Sequence, residues 1–391
     1  MRKIYLLPAL LLAGLLIVGC SQNEDQLQDN SAELKSASVV GKYIVVLKED
    51  ARIAQADLRI RNEKVKETAM GLLKKYEVAG EIEEIYETAL QGFTVKMAPG
   101  QARKMNVDPN VGYIEEDKVI SLSPIEMNAK PGGGGTTPPA ESTPWGITRV
   151  GGGETYSGTG VAWIIDSGID LNHPDLNVDS ERSVTFLGSR TTPDDENGHG
   201  THVAGTVAAI DNTIGVVGVA AGATVISVRV LDRRGSGSIS GVIGGVNHVT
   251  ANGAAGDVAN MSLGGGVSAS LDAAVLAASA KVKFALAAGN ESDDANNHSP
   301  ARVNGTNIYT VSAMDIADKF AYFSNYGNPP VDYCAPGVSI LSTWKGGGYN
   351  TISGTSMATP HVAGILMWGS INKDGNVLND PDENADPIAH K

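Results

Sequence analysis

The pattern of apolar and polar positions divides the chain into two regions of different character. Between residues 42 and 122 the apolar positions recur at short, mixed spacings. "KYIVVLKED" (Lys42–Asp50) predicts a strand. Over Arg61–Val78, residues Val65, Met70, Leu72, Leu73 and Tyr76 fall broadly on one helical face. "EIEEIYETALQGFTVKM" predicts two strands around Gln91-Gly92, "PGQARKMNVDPNV" a short helix and "GYIEEDKVISL" a last strand. The order β-α-β-β-α-β is that of a ferredoxin-like split βαβ unit, a small α+β domain.

Beyond residue 143 the pattern changes. "VAWIID", "TVISVRVLD", "DVANMSL", "VKFALAAGN" and "NIYTVSAMD" are short, almost continuously apolar runs. They alternate with Ala-, Gly- and Ser-rich helical stretches at His199–Ile210, Ser238–Ala251, Ala269–Ala280 and Thr355–Ser370. A strand apolar at successive positions is covered on both faces, so this region predicts an α/β domain of three layers, with helices on each side of a parallel sheet. Functional groups in such folds gather at the carboxyl ends of the strands. "NAKPGGGGTTPPAESTP" (Asn128–Pro144) separates the two regions. Its glycine run and prolines exclude a helix or a central strand and predict an exposed linker open to proteolysis. The domain division is therefore 42–122, a linker over 123–142 that holds a maturation site, and 143–391.

The 391 residues carry a net charge of −14. That balance argues against nucleic acid as a partner, which needs clustered Lys and Arg. Arg2 and Lys3 precede an apolar run, Ile4–Val18, too short for a comfortable membrane span and suited to a signal peptide over 1–19. The run ends "IVGC", which resembles a bacterial lipobox with Cys20 as the lipidated residue. A plain signal peptide with an incidental cysteine is the alternative, and either reading exports the protein. Residues 20–41 then form a polar tether. The other cysteine, Cys334, reads as a small buried apolar residue.

Three short motifs carry chemistry. "AWIIDSGID" ends an apolar strand at Asp166, which is either a turn cap or a carboxylate held at a strand end. "ENGHGTHVAGTVAA" starts a helix at His199, with His202 three residues on. Two histidines so spaced could bind a metal. The stretch lacks the Glu of the zinc-protease helix, however, which favours His199 as a base and His202 as a packed structural residue. "GTSMATPHVAG" places Ser356 at a helix start, near the positive end of the dipole and with an outward N–H. Pro360 reads as a first-turn proline. Each motif alone has a bland reading, as a turn or a cap. Together they give the chain order Asp, His, Ser, which belongs to subtilisins and not to chymotrypsins or α/β-hydrolases.

"IIDSGID", "GHGTHVAGT", "SLGGG", "AAGN" and "GTSMATPHVAG" resemble the subtilisin-like serine protease family over about Thr143–Ser370, and "TPWGITRV", "AYFSNYG" and "SILSTW" lean to its proteinase K branch. Residues 42–122 resemble the family's inhibitor-like propeptide. The resemblance implies a subtilisin-like catalytic domain, Ser356 as nucleophile, His199 as base, Asp166 as its partner and Asn290 as the side-chain oxyanion donor. It implies peptide-binding rails at Gly235, Ser236, Gly237 and at Ser262, Leu263, Gly264, with Glu291 at the rim of the P1 pocket and able to tolerate a basic P1. It implies a cis bond before Pro300. "VAAIDNTIGVVGVA" resembles a Ca²⁺-wrapping loop with ligands from the backbone of Ile210, Ile214 and Val216, the side chain of Asn212 and the carboxylate of Asp175, completed by Glu141. Relatives of proteinase K generally lack that loop, so the chain mixes features of two branches. The expected product is an autoprocessed zymogen of broad specificity. Its partners are peptide and protein substrates, its own propeptide as inhibitor, and the membrane through Cys20 before maturation. A peptide-gripping protein without turnover and a narrow processing protease are the alternatives. The last residues, "DGNVLNDPDENADPIAHK", read as a second ion site or as disorder.

Overall fold

The computed structural model describes residues 38–50, 53, 55–122, 126–127 and 139–391. The apolar run Ile4–Val18, Cys20 and most of the glycine-rich linker lie outside them. No helix among the described residues is long and apolar enough to cross a membrane.

The first domain contains β1 (Ser38–Leu47), α1 (Leu58–Lys75), β2 (Ile82–Tyr86), β3 (Gly92–Lys96), α2 (Pro99–Met105) and β4 (Val111–Ser121). Its antiparallel sheet has the order β4-β1-β3-β2, as the ferredoxin-like reading predicts. Strand β1 starts at Ser38, inside the stretch assigned from sequence to a tether. Alternate residues of β1 face opposite sides. Tyr43, Val45 and Leu47 pack under α1 and α2, whereas Ile44 and Val46 join a core shared with the second domain.

The second domain follows a two-residue strand, β5 (Glu126–Met127). Its elements are β6 (Ala162–Asp166), α3 (His199–Ala208), β7 (Thr224–Arg229), β8 (Ser236–Ser238), α4 (Ile239–Asn252), β9 (Val258–Met261), α5 (Ala269–Ala278), β10 (Lys283–Ala287), β11 (Ile308–Met314), β12 (Val331–Pro336), β13 (Ile340–Trp344), β14 (Gly348–Ser353), α6 (Thr355–Met367), β15 (Asn372–Asn376) and β16 (Pro387–His390). The main sheet runs β15-β16-β12-β11-β10-β9-β6-β7 and on to Asn177–Val178. From β16 to β7 every pair is parallel.

Burial on both faces explains the unbroken apolar runs. In β6, Ala162 and Ile164 face α3 and α6, and Trp163 and Ile165 face α4 and α5. Helices α3 and α6 pack closely because small residues meet there. A Cβ on Gly364 of α6 would stand 2.5 Å from the Cβ of Val219 and 3.3 Å from the carbonyl of Val207.

The C-terminal residues, read from sequence as an ion site or disorder, are ordered and form the hairpin β15–β16. Strand β16 pairs with β12 through Cys334 and Ile388, and Cys334 is buried among Met314, Val377 and Ile388. Burial pushes the Cys334 thiol well above its usual range, which suits an inert packing residue. The peptide bond before Pro300 is cis, as expected.

Gly364→Ala, measured by calorimetry on a Ser356→Ala background, should cost about 1–3 kcal/mol of stability. The corresponding fall in Tm is about 2–4 °C per kcal/mol for a domain of this size.

Candidate active site

Strand β6 ends at Asp166, and helix α3 starts at His199 immediately beside it. Both residues are fully buried. The Nδ1 of His199 lies 2.8 Å from Oδ1 of Asp166, which also accepts the N–H of Ser167 at 2.7 Å. The approach depends on glycine. Gly198 has φ +113°, and a Cβ there would meet the Trp344 ring at 2.3 Å. A Cβ on Gly200 would stand 2.1 Å from the carbonyl oxygen of Gly168. The turn is closed by Asp195, a buried carboxylate that sequence reasoning missed. Its oxygens accept from the backbone of Asn197, Gly198 and Thr201 and from the hydroxyls of Ser167 and Thr201. Burial raises the Asp195 carboxyl even so.

His202 lies on the inner side of α3. Its Nε2 donates to the carbonyls of Ile340, at 3.0 Å, and Asn350, at 3.2 Å. Desolvation lowers its pKa to about 3, so it is neutral at working pH. It ties α3 to the β13–β14 hairpin and leaves His199 as the imidazole beside the carboxylate.

Ser356 lies in the first turn of α6. Its hydroxyl donates to the carbonyl of Ser262 at 3.0 Å, and Nε2 of His199 makes no hydrogen bond among the described residues. The His–Ser contact of a working site is therefore not made in this state. Such contacts are often loose until a substrate is aligned. Pro360 is not a first-turn residue. It sits four positions after Ser356, where its missing N–H leaves the Ser356 carbonyl without an intrahelical donor. The Ser262 hydroxyl supplies one at 2.8 Å, and it is held in turn by Asn260 at 2.9 Å. Asn260 and Ser262, at the end of β9, thus fix the start of α6.

Asn290 follows β10. Its Oδ1 accepts from the N–H and the hydroxyl of Thr355, both at 2.8 Å. That leaves Nδ2 as the end turned towards Gly354 and the cleft. Thr355 was not singled out from sequence, although it precedes the serine directly. Beside Ser356 a pocket is walled by Leu263, Gly264, Ala288, Glu291 and His298.

The last strand of the first domain lies against residues of both expected rails. Strand β4 of the first domain pairs antiparallel with β8, Ser121 opposite Ser236, Ile120 opposite Gly237 and Val119 opposite Ser238. Ser121 also bridges to Gly264, and the N–H of Leu122 donates to the Gly235 carbonyl at 2.9 Å. Farther along, β5 pairs with β14, Met127 opposite Ile352 and Glu126 opposite Ser353. Two carboxylates of β4 strengthen the docking. Asp117 accepts from the N–H and hydroxyl of Ser240 at the start of α4, and Glu115 accepts from the N–H of Ser270 at the start of α5. Carboxylates there meet the positive ends of two helix dipoles. Asn247 of α4 accepts backbone N–H groups of Glu87, Thr88 and Ala89.

The loop after α3 gathers the remaining predicted residues. Asp175 accepts from Nδ2 of Asn212 at 2.7 Å, from the N–H of Val216 at 3.0 Å and from the Tyr349 hydroxyl. Its carbonyl accepts the N–H of Ile210, and the Ile214 N–H donates to the Asn212 side chain. Glu141 hydrogen-bonds the N–H of Asn212. The carboxylates of Asp175 and Glu141 thus converge on Asn212.

A serine at a helix N-terminus, an amide after β10 and a buried Asp–His pair at the end of β6 are the groups of a hydrolase that works through a serine. The sequence comparisons agree. Residues 157–368 match the subtilase family of peptidases, and residues 42–123 match the peptidase inhibitor I9 domain. The chain is 38% identical over 387 residues to an extracellular serine proteinase of Thermus sp. (strain Rt41A), covering 92% of this chain and 89% of that one. It is 42% identical over 298 residues to alkaline serine exoprotease A of Vibrio alginolyticus, covering 73% of this chain and about half, 52%, of that one. The crystal structure of a cold-adapted subtilisin-like serine proteinase shares 40% identity with it at a TM-score of 0.56, over 63% of this chain and 98% of that one. The chain belongs to the subtilase family. It is a subtilisin-like serine endopeptidase preceded by an inhibitor-type propeptide.

Gly200→Ala should force α3 away from Gly168 and separate His199 from Asp166. An error near 1 Å at a reacting group costs about 10²-fold in rate. A fall of that order in kcat with little change in KM, measured on a peptide anilide, is the expected result.

Proposed function

We propose that Ser356 is the nucleophile of this endopeptidase, with His199 as general base and Asp166 as the group that orients it. On substrate binding the Ser356 hydroxyl turns from Ser262 to Nε2 of His199, which takes its proton and later gives it to the leaving amine. The Ser356 N–H and Nδ2 of Asn290 face the oxygen that becomes negative. The observation that carries this reading is the buried Asp166–His199 hydrogen bond beside Ser356, in a cleft already holding an extended strand between two rails. Main-chain pairing on glycine-lined rails asks little of the substrate sequence, which supports broad specificity.

The strand in the cleft is the enzyme's own propeptide, so the same rails explain inhibition before maturation. Val119–Ser121 pairs with β8, and Glu126–Met127 pairs with Ile352 and Ser353, three residues before Ser356. That placement supports self-cleavage between Leu122 and Glu126, at the start of the 123–142 linker. Ser356→Ala should stay full length by intact mass, while the wild type loses its propeptide with a new N-terminus among residues 123–126. Asn290→Ala should process and turn over about 10²–10³-fold more slowly, the magnitude that loss of one such donor has in subtilisin itself.

The loop 210–216 fits a hard cation, since Asp175 and Glu141 are carboxylates meeting at Asn212. Desolvation raises the Asp175 carboxyl, a penalty that a bound cation relieves. Ca²⁺ would be held by Asp175, Glu141, the side chain of Asn212 and backbone oxygens of Ile210, Ile214 and Val216, and it would lock the segment before Thr143 to the loop. EDTA should lower Tm in the wild type and have no such effect in Asp175→Asn. Ca²⁺ at a hundred times its Kd stabilises by about 2.7 kcal/mol.

The N-terminal signal supports export, with Cys20 as a lipid anchor on the propeptide side of the cut. The precursor is then tethered, and cleavage frees the catalytic domain. Labelled palmitate should enter the precursor and not the mature enzyme, and Cys20→Ala should abolish labelling.

A further inference from the structure

The helical layer of the propeptide is basic, although the chain carries a net charge of −14. Helices α1 and α2 contain eight Lys and Arg residues against two carboxylates, Glu63 and Glu67. Their buried residues, among them Val65, Leu72 and Met105, pack on the side of the sheet that carries Tyr43, Val45 and Leu47. The other side joins the catalytic domain, through carboxylates as well as apolar residues. Asp117 and Glu115 meet α4 and α5 there, and Glu87 accepts from Asn247 of α4. Cations thus gather on the side of the propeptide away from the cleft.

Little neutralises that layer. Arg59 lies 4.0 Å from Glu63, and Lys75 is held by Asp108 at 2.7 Å. Lys64, Lys66, Lys74, Arg103 and Lys104 are exposed and make no ion pair among the described residues. Lys66, Met70 and Lys74 recur every four residues and share one line along α1. Asp108 also accepts from Tyr76, so it ties the last turn of α1 to the chain just past α2, where Val107 stands. Met70 is 58% exposed and Val107 81% exposed. Cationic side chains around exposed apolar ones match the boundary of an anionic bilayer, where the cations meet phosphate and the apolar groups enter the acyl edge. Ser38, the start of β1, follows Cys20 by eighteen residues, so it stays within about 60 Å of that residue.

We propose that the outer face of α1 and α2 docks on a membrane surface rich in anionic phospholipid. The propeptide then lies on the bilayer with the catalytic domain on its far side, and it stays there after the cut. The docking needs no acyl chain on Cys20 and no working Ser356, so it stands apart from both of those readings.

The test uses the Ser356→Ala precursor beginning at Ser21, which carries neither signal peptide nor acyl chain. Its partners are vesicles of phosphatidylcholine alone or of an equal mixture with phosphatidylglycerol. Co-sedimentation should show binding to the mixed vesicles only, and the affinity should fall about tenfold or more as salt rises from about 0.05 to 0.5 M. Lys66→Glu, Lys74→Glu and Lys104→Glu together should lower it about 100-fold or more, at about fivefold for each charge lost. Lys66→Gln, Lys74→Gln and Lys104→Gln, which remove the charges without reversing them, should fall between that variant and the parent. Met70→Ser with Val107→Ser should weaken binding at both salt levels. An unchanged calorimetric Tm shows that each variant is folded. Equal binding to pure phosphatidylcholine, or binding that survives charge reversal, overturns the proposal. So does a parent that binds neither vesicle, which would leave this face to a soluble acidic partner.

Discussion

The site depends on one close approach, that of the His199 turn to the end of strand β6. A buried carboxylate and a buried imidazole form a 2.8 Å hydrogen bond only if two stretches of backbone come nearly into contact. Gly168 and Gly200 permit that contact, and Asp195 holds the turn by accepting five hydrogen bonds. Burial makes the arrangement demanding. An unpaired charge there would be strongly destabilising, so the pair and its surroundings form as a unit.

The parallel sheet supplies the rest of the frame. Asp166, Ser262 and Asn290 follow three adjacent strands, β6, β9 and β10, and therefore emerge on one edge. Helix α6 is aimed at that edge by a defect. Pro360 removes a hydrogen bond, Ser262 supplies the replacement, and the first turn carrying Ser356 is thereby tied to the end of β9. A helix interior normally excludes proline because of this loss, and here the freed carbonyl gives the serine a fixed position.

The propeptide uses the second domain's own unsatisfied groups. Its last strand pairs with the edge strand β8, and Asp117 and Glu115 meet the first N–H groups of α4 and α5. Ile120 is fully buried in the core shared by the two domains, and an aliphatic side chain so placed contributes about 1.5–3 kcal/mol. The contacts of an inhibitor domain thus extend beyond the cleft into the shared core.

Much of this was legible in the chain. The continuous apolar runs gave β6, β7, β9, β10 and β11 because burial on both faces leaves no polar alternation, and the small-residue helices between them were found within a few residues of their ends. The residues of the Asp166–His199–Ser356 group and of the rails were recognisable because their motifs are local. What could not be read was what depends on distant partners. The β13–β14 hairpin and the C-terminal β15–β16 hairpin are short and mixed in polarity, without the unbroken apolar runs of the central strands. Asp195 and Thr355 look like ordinary polar residues, and only the fold brings them under the groups they orient. The sequence by itself determined the elements, the domain order and the chemistry available. Tertiary structure alone decided the orientation of Asn290 and the parking of Ser356 on Ser262, because each is a contact between residues far apart in the chain.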